Sequence, residues 1–473
     1  MKKYLIIILL GSVITSCKAP QISTNQTAIK VPDNYSLGSK VDSSSAKINW
    51  KEYFKDENLI ALIDTALRSN QDLKIALQHI EMAKSGALAT SGALKPSVNF
   101  APTTSLRRFG LYTMDGAGNI TTDILPNKIV PTHLPDFLLG FQASWEIDIY
   151  GKLKNRNKAA LSRVMASVEA KNFITTNIVN EVATTYYELI ALDNELTIID
   201  EYVKIQENAV QLSKIQKEAA AINELAVKQF EARLYSLQEM KFGLQQAITE
   251  NENKINFLIG RFPQTIRRTS TVLDSLSSNA ITLGVPTNLL LNRPDLRQTE
   301  HELAASKLDV QVARAAFLPS LNIGAVLGTQ AFRPDLLITK PQSLVYGLLG
   351  SLVAPLINKR VIQAEFDYAN ASQLATLYTY NQQIVSAYIE VHNQWTMLRN
   401  LEQSYQLKTK ESTVLNESIS ISDQLYRNSR ATYLEVLEAQ ENALETRIEL
   451  VQIKKTQLQS QVNLYRALGG GWK

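Results

Sequence analysis

The sequence predicts a mainly α-helical protein with membrane β-strands, organised as a duplicated unit in which a strand pair precedes a long helical hairpin. Three observations carry that expectation. Helix breakers are sparse: 19 Gly and 14 Pro serve 473 residues, and residues 155 to 260 hold only Gly243 and Gly260 and no proline, so long uninterrupted helices follow. Residues Phe137 to Ile149 alternate apolar and more polar positions, the period of a strand with one buried face. The chain also repeats itself. Residues 70 to 100 laid over 293 to 323 pair Asp72 with Asp295, Leu73 with Leu296, Pro96 with Pro319, Ser97 with Ser320 and Asn99 with Asn322, and later positions pair Ser144 with Ser351, Lys152 with Lys359, Tyr186 with Tyr388 and Gly260 with Gly469.

The N-terminus is an export signal over residues 1–16. Lys2 and Lys3 precede the apolar run Leu5 to Leu10, which is too short to span a membrane. Ile14-Thr15-Ser16-Cys17 resembles a bacterial lipobox, which makes Cys17 the expected lipidated first residue of the mature chain; several acyl chains on one residue suffice for stable anchoring. Lys18, rather than an aspartate that would favour the inner membrane, leaves the outer membrane open. Residues 17–50, rich in Ser, Thr, Asn and Lys, are expected to form a lipid-anchored tether.

The first repeat spans 51–261, with strands at about 97–108 and 137–149 and a long helix pair at about 155–260. Phe137, Leu139, Phe141, Ala143, Trp145, Ile147 and Ile149 share one face of the second strand. Its 13 residues reach roughly 43 Å at about 3.3 Å each, enough to cross a hydrocarbon layer when tilted; a strand of a soluble sandwich has the same alternation. The stretches Arg108 to Pro135 and Phe332 to Gln342 are expected to be exposed loops. Residues 262–287 link the repeats. The second repeat spans 288–473, with strands at about 320–332 and 343–354 and a helix pair at about 359–468. In its last helix Leu437, Leu444, Val451, Leu458 and Tyr465 recur every seven residues, and Ile174, Ile178, Val182, Tyr186 and Leu189 keep spacings of three or four earlier on: both are coiled-coil seams. After the signal no apolar stretch of 18 residues exists, so any membrane crossing uses strands. Four strands do not close a barrel, and open edges are not tolerated in lipid, so several chains must pool their strands.

No catalytic chemistry is expected. Cys17 is the only cysteine, and His79, His133, His301 and His392 are scattered without a second ligand at metal-binding spacing. Phosphate loops and hydrolase motifs are missing from the sequence. The pair Glu146 and Asp148 sits on one strand face, where a water-filled lumen accounts for it better than acid–base catalysis. The formal charge of +4 is spread along interleaved Lys, Arg, Glu and Asp, the pattern of solvated helices and not of a nucleic-acid footprint. No metal and no cofactor are called for.

Several motifs resemble a family. Arg293-Pro294-Asp295-Leu296, His301-Glu302-Leu303-Ala304-Ala305 and Ala313-Arg314-Ala315-Ala316-Phe317-Leu318-Pro319-Ser320 are similar to the central signature of the TolC-like outer membrane efflux proteins, in the lipoprotein branch that serves resistance-nodulation-division pumps. Tyr433-Leu434-Glu435-Val436-Leu437-Glu438-Ala439-Gln440, the closing Leu464 to Trp472, and Trp145 to Lys152 resemble further family motifs. The resemblance covers essentially the whole mature chain. It implies a homotrimer whose chains each give four strands to a 12-stranded barrel and their helices to a periplasmic α-barrel. It further implies a passive outer-membrane channel opened when a periplasmic adaptor protein and an inner-membrane pump dock. The contrasting reading is a lipid-anchored periplasmic adaptor or coiled-coil structural protein without a pore; it would share the lipobox and heptads but lack the duplicated strand pairs.

On the family's pattern the hairpin tips lie near Lys217 to Leu225 and Ser422 to Tyr433. Asp423 is then the candidate member of a constricting acidic ring, and Ala220, Asn223, Ser429 and Thr432 are the candidate adaptor contacts. Glycines are usual at the tips, where this chain has Ala220 and Ser429.

Overall fold

The computed structural model describes residue 20 and residues 29–32, 45–268, 282–339, 341–355, 357, 359–428 and 430–473. The candidate lipidation site Cys17 and the tip residue Ser429 lie outside the described residues. The first half contains α1 (Trp50–Tyr53), α2 (Glu57–Ser69), α3 (Gln71–Gly92), β1 (Ser97–Phe100), β2 (Thr103–Arg107), α4 (Met114–Asn119), β3 (Asp123–Leu125), β4 (Lys128–Ile129), β5 (Leu134–Ile147), α5 (Lys152–Glu218) and α6 (Glu224–Leu258). The second contains α7 (Asn288–Asn292), α8 (Pro294–Ala315), β6 (Ser320–Ala331), β7 (Leu344–Val353), α9 (Arg360–Arg427) and α10 (Tyr433–Ala467). At 67 and 68 residues, α5 and α9 are each about 100 Å long at 1.5 Å per residue. The described residues form two compact units, Met82–Val164 with His301–Leu377, and Thr27–Glu81 with Met165–Glu300 and Tyr378–Lys473. Each unit therefore draws matching stretches from both sequence repeats.

The first unit is organised by an antiparallel sheet in the order β1, β5, β6, β7, with β2 continuing the β1 lane along β5. The stretch expected as one strand over 97–108 is divided at Pro102, which lacks the N–H that a ladder needs. Register puts Phe100, Phe141, Leu327 and Tyr346 in one row, and Trp145 opposite Ile323. By the two-residue period, one face carries Leu139, Phe141, Trp145, Leu321, Leu348 and Leu352, and the other carries Asn99, Gln142, Ser144, Glu146, Asn322 and Ser351. On the polar face Gly140 and Gly328 stand opposite each other so closely that a Cβ on Gly140 would lie 2.5 Å from the Leu327 carbonyl oxygen. The loop before β5 holds α4 and the short β3–β4 pair.

The second unit has a conventional core. Tyr186, Leu189, Ile190, Leu59, Ile63 and Ile255 are almost completely buried, together with Leu458, Val462 and Tyr465 of α10. The heptad positions Leu444, Leu458 and Tyr465 thus face inward, as a coiled-coil seam does. The chain enters this core before the expected end of the tether: Ser45 and Trp50 are buried, and Ser45 exchanges backbone and side-chain hydrogen bonds with Thr282 at 3.0 and 2.9 Å. Tyr53 stacks on Tyr465 with ring centroids 4.1 Å apart and donates to the Gln461 carbonyl at 3.1 Å. Burial raises the Tyr53 phenol far above its ordinary value, with Tyr187 and Tyr465 adding to the effect. Asp56 caps α2 by accepting from Asn58 and Leu59, and its second oxygen accepts from the Tyr186 hydroxyl at 2.7 Å.

Candidate functional site

The first candidate region is the pair of hairpin tips in the second unit. Helix α5 stops at Glu218 because Ala220 turns left-handed, with φ of +57°; the Ala220 and Ala221 amides then donate to the carbonyls of Lys217 and Gln216, each at 2.9 Å. Asn223 starts α6 as its N-cap, its side-chain oxygen accepting from the Ala226 amide at 3.0 Å. At the other tip Thr432 caps α10, and the Glu435 carboxylate accepts from the Thr432 amide and, at 3.0 Å, from its hydroxyl. Those bonds hold the Glu435 carboxyl below the usual carboxylate range. Both hairpins therefore turn by local capping.

Asp423 lies on the last turns of α9 and accepts from Arg427 Nε at 2.8 Å, one helical turn on. Its charge is thus partnered within its own helix. Asp423, Tyr426 and Arg427 line one side of a cleft of about 490 Å³ whose other walls include Leu212, Gln216 and Phe230. Tyr426 donates across that cleft to Gln216 Oε1 at 2.6 Å, and the Phe230 and Tyr433 rings meet with centroids 6.3 Å apart. These contacts join the α9–α10 hairpin to the α5–α6 hairpin. Sequence reasoning named Asp423, Ala220, Asn223 and Thr432 but missed Tyr426 and Gln216. Tyr426 stands in the run Gln424-Leu425-Tyr426-Arg427, yet nothing in one sequence points from it to a partner in the other repeat.

The α5–α6 tip carries surface ion pairs. Glu231 accepts from Lys228 at 2.8 Å and from Lys214 at 2.9 Å, and Lys217 pairs with Glu224. Hydrogen bonds from the two lysines pull the Glu231 carboxyl down to about 2.

Two family-like motifs of the second half, Arg293 to Leu296 and the closing Leu464 to Trp472, behave differently, because they meet in one largely buried knot. Arg293 is 9% exposed and binds Asp295 with two parallel bonds of 3.0 and 2.7 Å; its Nη1 reaches Glu390 at 2.7 Å and the Ala467 carbonyl at 2.9 Å. Arg466 pairs with the same Glu390. Trp472 Nε1 donates to the carbonyls of Asn292 and Gly469, and the Arg297 guanidinium lies over the Trp472 ring. Gly470 is required there, since a Cβ would sit 2.3 Å from the Tyr465 ring. Every donor of Arg293 named here has an acceptor, the condition under which a buried ion network is tolerated. These contacts are structural, each joining one part of the chain to another.

The second candidate region is the sheet of the first unit. Its apolar face is open: Phe100, Phe141, Leu327, Tyr346, Leu348 and Leu352 are each more than half exposed. Such a contiguous apolar surface marks contact with a membrane or another protein. The edge lanes β1/β2 and β7 have no further strand among the described residues, and no described helix is long and apolar enough to cross a membrane. A face of this kind with unpaired backbone at both edges does not fit lipid as a single chain.

The comparisons with known proteins follow the same architecture. The model of the outer membrane efflux protein family matches residues 62–261 and 285–470, the two repeats. The chain is 25% identical over 465 residues to the cation efflux system protein CusC of Escherichia coli O6:H1, covering 97% of each. It is 28% identical over 439 residues to the pyoverdine export outer membrane protein OpmQ of Pseudomonas aeruginosa, covering 93% of this chain and 90% of that protein. The crystal structure of the Neisseria gonorrhoeae MtrE outer membrane channel superposes with a TM-score of 0.83 at 22% identity, covering 96% of this chain and 98% of MtrE.

Proposed function

The chain belongs to the outer membrane efflux protein family, and we propose that three copies form one passive conduit, lipid-anchored through Cys17. It is an outer-membrane channel of a tripartite efflux system that extends into the periplasm. The family is one of channels, so the chain is not read as an enzyme. The observation that carries the trimeric reading is the two-faced, open-edged sheet: four strand lanes with an exposed apolar face need neighbours to close, and three copies supply 12. Its polar face, with Gln142, Ser144, Glu146 and Asn322, suits a water-filled interior. The pore-free coiled-coil alternative has no support from the matched family.

In this reading a periplasmic adaptor and an inner-membrane resistance-nodulation-division pump supply recognition and energy, and the channel supplies the route. Relatives named for a cation and for pyoverdine both match this chain over nearly its whole length, which favours a duct that does not select its cargo tightly. The tips are the movable part. Their turns at Ala220 to Asn223 and at Thr432 are the adaptor contacts, Ser429 being the remaining candidate by sequence, and the Tyr426 to Gln216 bond holds one hairpin to the other. Asp423 contributes to a constricting ring, its field reduced by Arg427. The test is conductance of the full-length protein in planar bilayers. Asp423→Ala is expected to raise single-channel conductance or shift its cation preference; an unchanged conductance and selectivity would remove Asp423 from the gate.

A further inference from the structure

One cluster in the first unit has no part in the pore or its tips. The C-terminal end of α3 lies against the first turns of α5, where Thr90 Oγ1 donates to Asn157 Oδ1 at 3.0 Å. Just beyond that contact Trp145 Nε1 donates to the Leu94 carbonyl at 3.1 Å, which sets Lys95 beside the indole. Lys154 and Lys158 lie on the same stretch of α5, and all three lysines are exposed. Among the described residues none of the three takes part in a salt bridge. The nearby acids are already engaged: Glu146 pairs with Lys152, and Asp148 caps α5 by accepting from the Leu153 and Lys154 amides at 3.0 and 2.7 Å.

Helix geometry says which side these cations occupy. Lys152 is tied to Glu146 on the polar face of the sheet. From Lys152, at about 100° per residue, Lys154 and Lys158 lie roughly 200° and 240° around the helix. They therefore point away from the polar side and toward the side of the apolar sheet face. The half-exposed Leu161, roughly 180° around, continues that side. Trp145 and Ile149 supply apolar surface immediately before the lysines, with an indole N–H at the boundary, the arrangement of a membrane–water interface.

We propose that Lys95, Lys154 and Lys158 form a binding site for anionic phospholipid headgroups of the leaflet that faces the helices. The proposal rests on the outer-membrane reading above. Its chemistry is charge complementarity: three unpaired ammonium groups border a surface already committed to acyl chains, and each basic group near an anionic leaflet is worth about fivefold in association. Neutral phosphatidylcholine or phosphatidylethanolamine offers no net charge to match. The site concentrates anionic lipid around the junction of strands and helices and fixes the depth at which the channel rides.

Trp145 is the natural reporter. The full-length protein is reconstituted in phosphatidylcholine bilayers containing equal fractions of dibrominated phosphatidylglycerol or dibrominated phosphatidylcholine, with Trp145→Phe supplying the background from the other three of the four tryptophans. The phosphatidylglycerol probe is expected to quench Trp145 with an apparent affinity about fivefold or more above the phosphatidylcholine probe. That preference should shrink toward unity in 1 M salt and in the triple variant Lys95→Gln/Lys154→Gln/Lys158→Gln. Equal quenching by both probes, or a preference insensitive to salt, overturns the site. Currents recorded from the same membranes separate the two levels: pore currents with equal quenching defeat the lipid site alone, whereas no current and no quenching by either probe defeats the membrane reading on which it stands.

Discussion

The Arg293 knot and the hairpin tips lie in the same compact unit and are built from opposite materials. In the knot, buried Arg293 and partly buried side chains from α8, α9, α10 and the C-terminus bring together the Arg293 and Arg466 guanidiniums, the Asp295 and Glu390 carboxylates and the Trp472 indole, with an acceptor at each nitrogen of Arg293. At the tips, exposed charges pair locally, each helix caps itself, and one hydroxyl-to-amide bond with one aromatic contact spans the two hairpins. The knot allows no second arrangement without stranding a buried charge. The tips are joined by fewer polar ties. The contrast places rigidity where two family-like motifs, Arg293 to Leu296 and Leu464 to Trp472, converge, and the capacity to move at turns held by local caps.

That contrast is broken most forcefully at Arg293. Arg293→Ala leaves the partly buried Asp295 without its fork, Glu390 with Arg466 alone and the Ala467 carbonyl without its donor, so a loss of about 3 kcal/mol is expected. The readout is the thermal midpoint of the trimer or the yield of heat-modifiable trimer in membranes. Arg293→Lys, which keeps the charge and loses the fork, should fall between. A variant as stable as the parent would show that the knot is not what holds this unit.

Tyr426→Phe acts on the other side of the comparison. Removing the hydroxyl deletes the bond to Gln216, worth about 1 kcal/mol, and is expected to leave the thermal midpoint nearly unchanged while raising conductance without any adaptor. Ala220→Gly is smaller and of opposite sign for stability. The left-handed φ of +57° costs an L-residue about 1 kcal/mol, partly offset by glycine's greater freedom when unfolded, so a net gain of a few tenths of a kcal/mol is expected. Amide exchange at Ala221 and Ile222 would slow accordingly.

The smallest effect is on pH. Glu231 has a folded pKa of about 2 against an ordinary 4.5. A depressed carboxyl contributes stability that is present above its unfolded value and lost as pH falls through the folded one. The contribution from Lys214 and Lys228 is therefore fully present at neutral pH and drains away between about 4.5 and about 2. Hydrogen exchange in the α5–α6 tip should accelerate over that window, and Glu231→Gln should remove the dependence.

The fold was legible wherever a single period governed a stretch. Phe137 to Ile149 announced β5, and the heptads of Leu444, Leu458 and Tyr465 announced the buried side of α10. Legibility failed where a local exception or a distant partner decided the outcome. Pro102 divides the first strand although its flanks keep one lane along β5. Ser45 and Trp50 are polar-rich tether by composition but core by contact, through Thr282 and the Tyr465 cluster. Tip positions followed from the family's pattern and not from periodicity, whereas Asn223 and Thr432 are cap residues by type as well as by place. The partners of Asp423 and Tyr426 differ in the same way: Arg427 lies one turn ahead in the same helix, whereas Gln216 lies in the other repeat. The Arg293 motif was recognisable as a signature, but its chemistry as a buried knot depended on Glu390, Arg466 and Trp472, which no spacing rule connects.

The most direct test of a channel with a fixed knot and separable tips is single-channel recording of the full-length protein beside Tyr426→Phe. Discrete conductance steps from the parent, and larger steps from Tyr426→Phe at equal trimer stability, are the predicted result. A stable, membrane-inserted trimer that passes no current in either form would contradict it.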